Sequence, residues 1–86
     1  MPTINKLMEK ILSGQHDKDI DFKDLCRLLK FLDFRLRVKG DHHIFTRKGI
    51  PHIINVQPIG NKAKPYQVKQ VRQLINMYKL GGKGDE

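Results

Sequence analysis

Residues 34–57, FRLRVKGDHHIFTRKGIPHIINVQ, decide how the chain folds. Up to Leu32 apolar side chains recur every three or four residues, and from Phe34 they alternate. Phe34, Leu36 and Val38 are interleaved with Arg35, Arg37 and Lys39. Successive strand side chains point to opposite faces, so this pattern predicts a strand with one apolar and one cationic face. Gly40-Asp41 reads as a turn, residues 42–47 as a second strand and Lys48-Gly49 as a tight turn. Residues 50–57, rich in isoleucine and valine, read as a third strand. Three strands joined by two short turns make an antiparallel meander.

Outward from the meander the period is helical. In TINKLMEKILS, residues 3–13, Ile4, Leu7, Met8, Ile11 and Leu12 share a face, and Gly14 supplies a stop. Asp21 heads a second helix with Asp24 as its capping pair, and Phe22, Leu25, Leu29 and Leu32 form its stripe. PIGNKAKP, residues 58–65, reads as a basic loop. Pro65 fits the first position of a third helix, whose stripe is Val68, Val71, Ile75 and Tyr78 and whose end is Gly81-Gly82. The tail GGKGDE, residues 81–86, is expected to be disordered. The order is α-α-β-β-β-α, an α+β fold with helices over one sheet face and the other face left for a ligand. A chain of 86 residues is expected to make a single domain, here residues 1–80 with 1–21 as a helical extension. So small a domain has no room for a large enclosed cavity, so chemistry belongs on an open surface.

The net charge of +8 is unevenly placed. Residues 1–33 hold six Lys/Arg and six Asp/Glu, whereas residues 34–80 hold ten Lys/Arg against Asp41 alone. Such a segment points to a polyanionic partner, because Lys and Arg gain affinity by displacing counterions from phosphates. The sequence has no P-loop, no Rossmann fingerprint and no C-x-x-C, so nucleotide-dependent and zinc-finger readings lack their residues. A DNA-binding reading lacks helix-turn-helix spacing. The single cysteine, Cys26, lies on an apolar helical stripe and reads as a small buried hydrophobe. No charged-then-apolar leader and no long apolar run are seen, so the expected compartment is a reducing cytoplasm, with no membrane association.

Four histidines remain. His16 falls in the polar loop GQHDKDI and reads as solvated; His52, near a turn, reads as a packing or edge residue. His42 and His43 are adjacent on the middle strand and must point to opposite faces, which weakens a metal site built from them and His52. If Phe45 is the core anchor of that strand, His43 shares its inward face and His42 points to solvent.

From Phe22 to Leu80 the chain resembles the HicA family of toxins. The resemblance rests on the ordered set of a helix, a basic strand, the glycine-led motif Gly40-Asp41-His42-His43-Ile44-Phe45, a hairpin, a third strand ending at Pro58 and a closing amphipathic helix. It implies a double-stranded-RNA-binding-domain-like α-β-β-β-α core and the role of toxin in a type II toxin–antitoxin pair. The implied activity is that of an mRNA interferase, an endoribonuclease that needs neither metal nor cofactor. The implied partners are mRNA and an antitoxin protein of HicB type. The family motif commonly reads Gly-Ser-His, and its histidine matches His42, with His43 as a second candidate for catalysis. Asp41 stands where the serine is usual, and Ile59 where a histidine often follows the proline.

Such a nuclease requires a base for the RNA 2′-hydroxyl and cations for the phosphoryl oxygens. Histidine, with an ordinary pKa of about 6.5, suits the first task. Arg35, Arg37, Lys39 and Arg47, extended by Lys62 and Lys64, are the candidates for the second. A non-catalytic RNA-binding module of the same fold is the alternative, and Asp41 and Ile59 keep it open.

Overall fold

The computed structural model describes residues 3–80. Its helices are α1 (Ile4–Ser13), α2 (Phe22–Phe31) and α3 (Pro65–Tyr78), and its main strands are β1 (Arg35–Lys39), β2 (His42–Arg47) and β3 (Ile50–Val56). The sheet order is β1-β2-β3, all antiparallel, the expected meander. Its turns are made by Gly40 and Gly49, both at positive φ (62° and 90°), where a side chain would be strained. The expected tail lies outside the described residues.

α1 and α3 are bounded by local devices. The Thr3 hydroxyl accepts from the Lys6 N–H at 3.2 Å to start α1, and Gly14, at φ 73°, closes it. Pro65 opens α3 as expected, but α3 ends at Lys79, which takes the left-handed conformation (φ 55°) before the expected glycines are reached. Asp21 departs from expectation too. It occupies the start of α2 without a side-chain capping bond, because its carboxylate is turned to Lys62 Nζ at 2.8 Å.

The segment expected to be a loop instead contains a hairpin of β4 (Pro58–Ile59) and β5 (Lys62–Ala63). A third strip of backbone completes it. The Ala63 N–H donates to the Ile20 carbonyl and the Phe22 N–H to the Asn61 carbonyl, both at 2.9 Å. The start of α2 is thereby fixed to the chain just before α3.

The core lies between the helices and one face of the sheet. Phe45, Ile54 and Val56 present that face and are fully buried against Leu25, Leu28 and Leu29 of α2 and Val68 and Val71 of α3. The sheet is covered unevenly. On β1 the expected apolar face is only partly buried: Leu36 is half-buried and Val38 is 56% exposed.

α1 belongs to the same core, through the buried Leu7, Met8 and Ile11. Arg72 of α3 anchors it by donating to both carboxylate oxygens of Asp17 (2.8 and 3.2 Å) and to the Ile11 carbonyl (3.2 Å). Both charged partners are largely shielded, at 17% and 22% side-chain exposure, so this forked pair is little screened by solvent. Arg72→Ala is expected to cost about 1–3 kcal/mol in chemical denaturation. Arg72→Lys should recover only part of it, because one ammonium cannot reproduce the fork.

A weaker tie runs through Asp19, whose carboxyl is held below its ordinary range first by its hydrogen bond from Lys62 and then by the charge of Lys10. A carboxyl lowered on folding stabilises the fold above its unfolded pKa, near 4, and loses that contribution as pH falls through the lower folded value. Hydrogen exchange at the Phe22 and Ala63 amides should therefore accelerate, beyond its intrinsic pH trend, only below about pH 4. Asp19→Asn should remove the step.

Candidate functional site

Phe45 is fully buried, so the period of two turns His43 inward and His42 outward. The uncovered face of the sheet is then read from its register. Lys39 lies directly across from His42, Arg37 from Ile44 and Arg35 from Thr46, in one row along β1. Directly opposed side chains stand about 5 Å apart at Cβ, so the row places one cation beside the histidine and two further along. On the other flank, Asn55 is paired with Ile44. The expected cationic strand face and the outward histidine are therefore on the same side.

His42 is held by polar neighbours. Its Nδ1 lies 3.2 Å from Asn55 Oδ1 and its Nε2 lies 3.4 Å from Gln57 Nε2. Lys64 Nζ donates to Gln57 Oε1 at 3.4 Å, which brings that lysine to the histidine through one amide. Asp41 Oδ1 is 3.8 Å from His42 Nε2, at 86% side-chain exposure, while the imidazole itself is 46% exposed. The ring is thus fixed in position and still open to a ligand.

Asn55 and Gln57 are placed by a residue from α3. The Gln67 side chain, 1% exposed, donates from Nε2 to the Asn55 carbonyl (3.0 Å) and accepts the Gln57 N–H at Oε1 (3.3 Å). Its carboxamide pairs with residues two apart on one strand edge, as a neighbouring strand's peptide group would. This replaces the missing fourth strand where β3 ends. Sequence reasoning passed over Asn55, Gln57 and Gln67; the available signal was the polar pair at 55 and 57, alternating with Ile54 and Val56.

The remaining candidates are dispersed. Arg47 lies at the far end of β2, opposite Ile50 and beyond a bulge, roughly 16 Å along the strand from His42. Lys62, expected to extend the phosphate-binding track, is engaged by Asp19 and Asp21 at 2.9 and 2.8 Å. Those two hydrogen bonds, to Asp21 first, raise its pKa. Its charge is spent on ordering the chain before α2.

His43 borders a cleft of about 440 Å³ between α2 and the edge of the sheet, lined also by Phe22, Cys26 and Leu36. Its ring meets Phe22 edge-on, with centroids 4.8 Å apart. Burial pushes the Cys26 thiol up to about 11, against an opposing influence from Lys30, so it is an unreactive packing group. His16 is exposed, and His52 lies on β3 with its ring 6.2 Å from Tyr78. Among the described residues no three His, Cys, Asp or Glu side chains gather as a metal site would require, and no helix is long and apolar enough to cross a membrane.

A family model described as the HicA toxin of bacterial toxin–antitoxin matches residues 22–77. The chain belongs to the HicA toxin family. No curated protein and no solved structure matches it significantly. The HicA match begins at Phe22, so α1 and the loop after it precede the matched part, yet Arg72 and Lys62 tie them to it. It covers the cationic strand, the histidine pair, Asn55, Gln57 and Gln67.

Gln67→Leu is expected to lower stability by about 1–3 kcal/mol, since the strand N–H and carbonyl it serves lose their partners in a part-buried site. Thermal or denaturant unfolding measures the loss. Gln67→Glu should restore only part of it, because a carboxylate can accept the Gln57 N–H but cannot donate to the Asn55 carbonyl.

Proposed function

We propose that the chain is the toxin of a type II toxin–antitoxin pair and cleaves mRNA without a metal ion, with His42 moving the protons. The observation that carries this reading is the placement of a half-exposed imidazole on the uncovered sheet face, directly across from Lys39 and in line with Arg37 and Arg35.

In RNA the nucleophile is already part of the substrate. The 2′-oxygen attacks the neighbouring phosphorus, the bond to the 5′-oxygen breaks, and a 2′,3′-cyclic phosphate is left. His42 takes the proton of the 2′-hydroxyl, and a protonated group or water gives a proton to the leaving 5′-oxygen. General acid–base help of this kind contributes roughly 10²–10⁴-fold. Lys39, Arg37 and Arg35 neutralise the phosphates along β1, with Lys64 on the opposite flank, and stabilise the charge that grows on the phosphoryl oxygens. Arg47 meets the strand farther along, and Lys62 has no part in this track.

The antitoxin, a protein of HicB type, has to cover His42 and the β1 row to block RNA. Such a toxin acts where mRNA is, in the cytoplasm. His43, packed against Phe22 on the other face, has no route to the same phosphate.

His42→Ala, with its fold intact, should cut a single-stranded RNA oligonucleotide at least about 100-fold more slowly than wild type. His43→Ala, if folded, should stay within a few-fold of wild type. Mass spectrometry of the products should find a 2′,3′-cyclic or 3′ phosphate. Equal cleavage by His42→Ala would remove the assignment, and RNA binding without cleavage by wild type would leave a binding module.

A further inference from the structure

Lys64, Gln57, His42 and Asn55 form a continuous chain of polar contacts at 3.4, 3.4 and 3.2 Å. Its direction is set at one end. A lysine ammonium donates and cannot accept, so the atom of Gln57 that faces Lys64 must be its carbonyl oxygen. The amino group of Gln57 then faces His42, and an amide NH₂ also only donates. Nε2 of neutral His42 is consequently the nitrogen with the free electron pair. The ring proton sits on Nδ1 and is donated to Asn55 Oδ1. Asp41, at 3.8 Å from Nε2, lies beyond hydrogen-bond reach and does not compete.

Histidine free in water favours the other tautomer, with the proton on Nε2, so the protein selects the minor form. We infer that Lys64, Gln57 and Asn55 lock neutral His42 in its Nδ1–H tautomer, and that Nε2 is the nitrogen that takes the proton of the RNA 2′-hydroxyl. The second half rests on the nuclease reading above; the first does not. Asn55, Gln57 and Lys64 are positioning residues in this respect, acting through the ring.

The orientation is also mechanically supported. The carboxamide of Gln67 holds the backbone at the Asn55 carbonyl and the Gln57 N–H, so the two side chains that grip the ring leave a strand edge that is itself clamped. The contacts at 3.4 Å are long. That suits a resting site whose Nε2 pair must be surrendered to a substrate hydroxyl, because a long, weak contact from Gln57 is readily displaced.

Nitrogen-15 NMR of the imidazole reads the tautomer directly, at a pH well above the ordinary histidine value of about 6.5. Wild-type His42 should show a protonated-type Nδ1 and a bare-type Nε2. Asn55→Ala and Lys64→Met should each shift the pattern toward the Nε2–H form, in spectra that also report whether the fold is intact. Asn55→Asp, which keeps an acceptor oxygen, should retain the wild-type pattern. In RNA cleavage, Asn55→Ala should lower kcat by about tenfold or more and leave KM within about twofold, as expected when only proton transfer is impaired. It should have no further effect in a His42→Ala background.

A wild-type Nε2–H pattern, or an unchanged Nδ1–H pattern in both Asn55→Ala and Lys64→Met, overturns the lock. A switched tautomer with unchanged kcat overturns the assignment of Nε2. Absence of RNA cleavage by wild type overturns the nuclease reading, while the NMR arms still decide whether the lock exists.

Discussion

The burial of Phe45 is the constraint on which the rest depends. Its ring sits at the centre of the core and is fully excluded from solvent. A strand that inverts its side chains at every residue cannot bury Phe45 without turning His43 inward and His42 outward. Register then does the rest, since pairing with β1 brings Lys39 opposite His42 and pairing with β3 brings Asn55 to the same face. A slip of one residue would exchange the faces of β2, putting the phenylalanine in water and His42, Ile44 and Thr46 against the helices. The stability of the core and the composition of the open face are therefore one specification.

What could be read in the sequence follows from that. The change of period at Phe34, the two glycine turns and the stripes of three helices are local signals, and the meander and its flanking helices follow from them. The outward aim of His42 is local too, because it needs only Phe45 three residues away. The β4–β5 hairpin was illegible, since its strands are two residues each and its third partner is the backbone at Ile20 and Phe22. Periodicity has nothing to grip at that length.

Charge was the least legible property, for a physical reason. Residues 34–80 carry all the excess positive charge, and the sequence counts Lys62 and Arg72 toward it equally with Arg35. In the fold Lys62 meets Asp19 and Asp21, some forty residues earlier, and Arg72 meets Asp17, fifty-five earlier. The neutral first third of the chain thus lends its carboxylates to the basic remainder, and the charge left for a polyanion is narrower than the total suggests. Part of it lies on β1, where the residues opposite Arg35, Arg37 and Lys39 are threonine, isoleucine and histidine, none of them acidic.

That same scarcity of acid bears on how the histidine is held. A carboxylate is a common orienting partner for an imidazole, and it would also be the strongest attractor for lysine and arginine on an open face. Here the contact to Nδ1 comes from an amide, Asn55, and the acid beside Nε2, the outward Asp41, stands at 3.8 Å. An amide orients the ring by hydrogen bonding and leaves the cations of β1 uncommitted. The cost is that an amide can be turned round, whereas a carboxylate cannot. Lys64 removes that ambiguity on the Gln57 side, and the direction it imposes passes through the ring to Asn55. A lysine that reads in the sequence as one more phosphate contact thus has a second consequence, which appears only when the contacts are followed atom by atom.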